Sequence, residues 1–145
     1  MVEAGADEII PWSAARSISK WQNDSKEKWE SAAFASAKQA KRFSIPKIAD
    51  QVDISKFLND KAGSFATIVL HERGGIKLSQ LISEKMAELD EIVLVIGPEG
   101  GISDSELALF EKSGARLAQM GEAIFRSAHA GGFAIAAIST LLKRW

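Results

Sequence analysis

The chain has 145 residues, 46% hydrophobic and 26% charged, with a formal net charge of −1. That length suits one domain with a sizeable core, and the composition excludes a disordered tail. With no cysteine and only two histidines, His71 and His129, disulfides and thiolate metal centres are excluded and no metal is expected. No apolar run reaches the roughly 18–20 residues of a membrane span, and the acids Glu3, Asp7 and Glu8 replace the pattern of a secretory leader, so a cytoplasmic protein is expected. A near-neutral chain has no overall attraction for nucleic acid, so any such contact has to be local.

In chain order, the first predicted strand is Glu8-Ile9-Ile10-Pro11. A helix follows over residues 25–41, with Trp29, Ala33, Ala37 and Ala40 on one stripe. Residues 45–61, with one proline and two Asp-containing turns, read as a surface connector. Thr67-Ile68-Val69-Leu70 and Ile92-Val93-Leu94-Val95-Ile96 are continuous β-branched runs of the kind found in parallel strands covered on both faces. Between them residues 78–89 suggest a second helix. Ser103-Asp104-Ser105-Glu106 has the form of a capping box, and Gly114 marks the end of the helix it opens. Residues 115–120 are a weaker strand, and residues 129–145 form a terminal helix that is apolar nearly all round, so it needs cover on more than one side. Alternating strands and helices predict a single α/β domain, 1–145, with an open, mostly parallel sheet and helices on both faces.

Three loops follow three of these strands, where an open α/β sheet normally holds a ligand. The sharpest is Ile96-Gly97-Pro98-Glu99-Gly100-Gly101, running from the best strand into the capping box. It is not G-x-G-x-x-G and lacks a P-loop lysine, so it is a poor phosphate cradle. Glu99 is either a catalytic carboxylate or a local backbone acceptor. The second loop is Leu70-His71-Glu72-Arg73-Gly74-Gly75, where His71 reads as a polar residue satisfied by its neighbours or as an acid–base group. The third runs from Met120 and Gly121 through Ile124 and Phe125 to Arg126, whose guanidinium either serves a ligand or pairs with Glu99 or Glu122. A local basic cluster, Lys38, Lys41, Arg42 and Lys47, lies downstream of Arg16 and Lys20, which neighbour Trp12 and Trp21. It is either a solvated helix end or a surface for RNA phosphates and unstacked bases.

Together these motifs resemble the RsmE group of SPOUT-class methyltransferases. The likeness rests on Val95-Ile96-Gly97-Pro98-Glu99-Gly100-Gly101-Ile102-Ser103-Asp104, and on residues 3–11 with Arg16-Ser17. It rests further on Ala37-Lys38-Gln39 with Arg42 and Ile45-Pro46, on Leu70-His71-Glu72, and on Gly121-Glu122-Ala123-Ile124-Phe125-Arg126. The resemblance implies methylation of N3 of a uridine in small-subunit (16S) ribosomal RNA with S-adenosylmethionine. It also implies a homodimer and a C-terminal deep trefoil knot, which periodicity alone would never suggest. It places the cofactor on Leu70, His71, Glu72, Ile96, Gly97, Pro98, Glu99, Gly100, Gly101, Met120, Gly121, Ile124, Phe125 and Arg126. Arg126, with Glu99, is the expected catalytic group, and Arg16, Lys20, Lys38, Lys41 and Arg42 are the expected RNA contacts. Two departures stand out. The family's N-terminal PUA-like β-barrel domain is expected to be absent from this chain. The family's acid after the loop arginine is also missing, since Arg126 is followed by Ser127-Ala128-His129. The competing readings are a ribose 2′-O-methyltransferase of the SpoU type, whose S-L-N-V-S run is lacking, and a non-catalytic nucleotide-binding dimerisation module.

Overall fold

The computed structural model describes residues 1–60, 65–73 and 75–145. Four parallel strands form the main sheet in the order β4-β6-β3-β5: β3 (Phe65–Leu70), β4 (Ile76–Lys77), β5 (Glu91–Ile96) and β6 (Arg116–Gln119). The predicted strands at 67–70, 92–96 and 115–120 are all present. In β3 the consecutive residues Ile68 and Val69 point to opposite faces, and both are wholly buried. Val69 packs with Val95, Ile102, Leu107 and Phe110, beneath α2 (Ile54–Asp60) and α4 (Asp104–Lys112). Ile68 packs with Leu78, Ile82, Ala134 and Ile138, beneath α3 (Leu78–Leu81) and α5 (Ser127–Leu141). The continuous apolar run is therefore a strand with two covered faces. Leu70 is in register with Ile96 on one side and Ala118 on the other, so β3, β5 and β6 finish level.

A smaller layer precedes this sheet. β1 (Glu8–Ile9) pairs in parallel with β2 (Lys47–Ile48), and α1 (Ser25–Gln39) covers them with Ala33 and Ala37. Trp12 ties the two layers together. It bridges to Val52, donates its indole N–H to the Ile96 carbonyl at 3.1 Å, and meets the Phe110 ring edge-on at 5.8 Å.

Three expectations need correction. The α1 stripe is narrower than predicted: Trp29 is 42% exposed and Ala40 is exposed, because only two alanines face the small sheet, and Trp29 stacks edgewise on Trp21 instead. Residues 78–89 are not one helix. The chain is extended at Ile82 and Ser83 and resumes as a 3-10 turn, Glu84–Glu88, since burying Ile82 and Met86 against α5 outweighs helical propensity. Residues 45–60 are no mere connector. They hold β2 and α2, and the Asp53 carboxylate accepts the Ser55 and Lys56 amides at the start of α2. Residue 61, also assigned to that connector, lies outside the described residues. Among the described residues no helix is long and apolar enough to cross a membrane.

Phe110 is wholly buried and joins the Trp12 contact to the upper core. Phe110→Ala should cost about 3–5 kcal/mol in denaturant unfolding; a loss under about 1 kcal/mol would contradict this packing.

Candidate functional site

Because β3, β5 and β6 end level, their outgoing loops enclose one cleft of about 550 Å³. The turn after β5 is shaped by its glycines. The Gly101 N–H closes onto the Pro98 carbonyl at 2.8 Å, and Gly101 has φ of 75°, where a side chain is strained. A Cβ on Gly97 would lie 2.8 Å from the buried Ile102 side chain. Gly100 lines the cleft and also meets the N-terminal segment. A Cβ there would sit 2.7 Å from the Arg16 carbonyl oxygen, so this glycine makes room for the N-terminal segment.

That segment is held from α4. Glu106 is only 7% exposed. Its Oε1 accepts the Ala15 N–H at 2.7 Å, and its Oε2 accepts the Ser103 N–H at 2.8 Å and the Ser103 hydroxyl at 2.6 Å. The capping box predicted at Ser103 is present, and its carboxylate also reaches across 91 residues of sequence. Burial pushes the Glu106 carboxyl up, but the bonds from Ser103 and Ala15 and the Arg16 charge outweigh it, and its pKa is lowered.

The loop that follows β3 is braced against β6. The His71 amide donates to the Ala118 carbonyl at 3.0 Å, and His71 Nδ1 accepts the Arg73 amide at 3.1 Å. The Gln119 side chain donates to the Glu72 carbonyl. Nδ1 of His71 is thus occupied within its own loop. Gly74 lies outside the described residues. Arg73 reaches Asp104 at 3.5 Å, linking this loop to the start of α4.

The third loop is exposed and partly apolar. Ile124 is 76% and Phe125 41% exposed, and the Phe125 ring lies 5.2 Å from Phe133 of α5. Arg126 caps α5 through its carbonyl, which accepts the His129 and Ala130 amides at 2.9 and 3.0 Å. Neither Glu99 nor Glu122 pairs with the Arg126 guanidinium, although all three line the cleft.

The structure therefore brings together Leu70, His71, Glu72, Ile96, Gly97, Pro98, Glu99, Gly100, Gly101, Met120, Gly121, Ile124, Phe125 and Arg126 in one cleft, with Arg16 at its edge. It does not bring Lys20, Lys38, Lys41 or Arg42 into the cleft lining. Lys20, Lys38 and Lys41 are exposed elsewhere. Arg42 turns inward, donating to the Val2 and Ala6 carbonyls at 2.7 and 2.9 Å, so its charge secures the small layer. Sequence reasoning missed Arg73, Asp104 and Gln119 in the lining, as well as the Glu106–Ala15 bond. Arg73 and Asp104 lie in motifs read from the sequence but were not singled out there, whereas Gln119 and the Glu106–Ala15 bond carry no local signal.

Two outcomes follow from this geometry. Gly100→Ala should destabilise the fold by about 1–3 kcal/mol in denaturant, because its neighbour is backbone that cannot rotate away; an unchanged midpoint would refute the close approach. Since the folded pKa of Glu106 lies below its ordinary 4.5, its contribution is complete above that value and is lost as pH falls through the lowered one. Glu106→Gln should therefore flatten this part of the acid limb in a pH series of melts. An acid limb identical to that of the unaltered chain would contradict the assignment.

Residues 1–139 match the family described as RNA methyltransferase domain. The chain is 30% identical over 151 residues to ribosomal RNA small subunit methyltransferase E of Mycobacterium bovis, covering 99% of this chain and 56% of that relative. It is 27% identical to the Bacillus subtilis protein of the same name, covering 94% and 57%. The chain thus spans little more than half the length of these relatives. Its fold is that of the Neisseria gonorrhoeae protein of this name, whose crystal structure is bound to S-adenosyl methionine, with a TM-score of 0.86 at 24% identity over 97% of this chain and 57% of that one. A Legionella pneumophila structure in complex with the bound cofactor SAM matches with a TM-score of 0.80 at 25% identity, covering 99% and 57%. On the match to its first 139 residues, the chain belongs to the RNA methyltransferase domain family.

Proposed function

We propose that this chain is the catalytic domain of an S-adenosylmethionine-dependent enzyme that methylates N3 of a uridine in 16S ribosomal RNA, in the cytoplasm. The observation that carries the reading is the single cleft lined by all three signature loops of a chain in this family. The residues suit the cofactor. Exposed Ile124 and Phe125 offer apolar surface for adenine, the strand ends offer backbone groups to its edge, and the charged lining suits an amino-acid zwitterion.

When bound, the cofactor supplies an electrophilic methyl group on a sulfonium. The uracil N3–H bond must break before the N3 lone pair can form the new N–C bond, and the charge left behind spreads over the flanking carbonyl oxygens. Arg126 lines the cleft without a carboxylate partner among the described residues, so its guanidinium is available to those oxygens. There it favours the deprotonated base and aligns it for attack. The N3 proton passes to water or to the Glu99 carboxylate on the turn opposite.

The assembly we propose is a knotted homodimer. In support of the knot, the last strand, β6, inserts between β3 and β4, and the loop joining those two braces against it. In support of the dimer, α5 buries Ala130, Ala134 and Ile138 inward yet leaves Phe133 52% and Leu141 41% exposed. Arg16 supplies a phosphate contact at the cleft, and the exposed Lys20, Lys38 and Lys41 supply phosphate contacts away from it.

Mass spectrometry of nucleosides after incubation with undermodified small-subunit RNA should give 3-methyluridine; a ribose-methylated product would overturn the reading. Arg126→Lys should lower turnover by about 100-fold while calorimetry shows unchanged cofactor affinity. If cofactor binding weakens instead and turnover at saturation survives, Arg126 only shapes the loop.

A further inference from the structure

The Glu106 carboxylate is more elaborate than a helix cap requires. A capping box needs only the Ser103 pair, yet the second oxygen is given to the Ala15 amide, 2.7 Å away. The next residue is Arg16, whose carbonyl lies against Gly100 with no room for a Cβ. Its guanidinium Nη1 is 3.5 Å from the Gly100 carbonyl. Residues 15 and 16 are therefore clasped from two sides, by α4 and by the glycine turn. Residues 15–20 are all exposed, so the clasp holds one point of an otherwise open segment. That point carries a cation into the cleft lining.

We propose that Glu106 is a positioning residue. By fixing the Ala15 amide it holds the Arg16 guanidinium at the cleft rim, where that cation takes a phosphate of the RNA strand entering the site. The inference rests on the methyltransferase reading for the identity of the anion, and on the geometry alone for the clasp. A guanidinium whose backbone is already ordered loses less freedom on binding than one on a loose segment, so the gain is in affinity for RNA. The carboxylate itself never touches RNA, being buried behind Ala15.

The test is a double-mutant cycle on Glu106→Ala and Arg16→Ala, read by affinity for undermodified small-subunit RNA across a salt series. Each single variant should weaken binding by about 10-fold at low salt and reduce the salt slope by about one unit. In the Arg16→Ala background, Glu106→Ala should change affinity by less than about 2-fold. Amide exchange at Ala15 should be slow in the unaltered chain and fast in Glu106→Ala, which has no acceptor to offer; this checks the clasp without any ligand. Ser103→Ala serves as a control that weakens the helix cap but keeps the Ala15 bond, and it should leave RNA affinity unchanged. Should Glu106→Ala fail to fold, Glu106→Asp keeps the charge but withdraws the oxygen from Ala15, and takes its place in the cycle. Effects that multiply in the double variant would overturn the proposal, as would slow Ala15 exchange in Glu106→Ala. So would a loss of S-adenosylhomocysteine affinity in place of RNA affinity, since Arg16 would then serve the cofactor. Failure of the unaltered chain to bind S-adenosylhomocysteine would count against the methyltransferase reading alone, because Ala15 exchange and the RNA cycle still decide the positioning role.

Discussion

A carboxylate buried at the start of α4 must be fully hydrogen-bonded or cost about several kcal/mol, and Glu106 meets that demand with three donors from two distant parts of the chain. Two come from its own helix cap. The third comes from Ala15, which obliges the N-terminal segment to lie across the glycine turn. Gly100 is small because Arg16 passes over it, and Arg16 reaches the cleft because Ala15 is held. Trp12, bonded to the Ile96 carbonyl a few residues earlier in the chain, secures the same segment at the end of β5. One wall of the cleft is thus assembled by a polar contact and an indole, with the strand ends beneath.

The floor of the cleft has a simpler origin. Parallel strands covered on both faces leave their carboxyl ends as the open edge, and here Leu70, Ile96 and Ala118 are in register. Loops leaving level ends must crowd together. The side chains they carry are of mixed charge, and Ile124 and Phe125 add apolar surface at the lip. This combination fits a ligand that is aromatic at one end and zwitterionic at the other.

Much of this was legible in the residues because it rests on local pattern. Continuous apolar runs marked β3 and β5, and S-x-x-E with Gly114 marked both ends of α4, where Gly114 indeed has φ of 87°. The loops that line the cleft were readable from their glycines and from their place after strands. What escaped depends on tertiary partners. β2 and β4 are two residues each, too short for any periodic signal. The break at Ile82 is decided by a core pocket, and the inward turn of Arg42 by two carbonyls that no cluster of basic residues reveals. Glu106 was visible as a cap, but its third donor lies too far along the chain to be read from spacing. The proposed knot rests on family likeness, because a knot leaves no mark in composition or period, and for the proposed dimer the residues offer only the all-round apolar character of the terminal helix.

The central claim is that the cleft formed by three level strand ends holds the methyl donor. A crystal structure of this chain with S-adenosylhomocysteine tests it most directly. The account predicts the adenosine seated between Ile96 and Phe125, with its base edge on backbone groups and its sulfur facing Arg126. A ligand bound outside this cleft, or one held there with its sulfur turned away from Arg126, would contradict it.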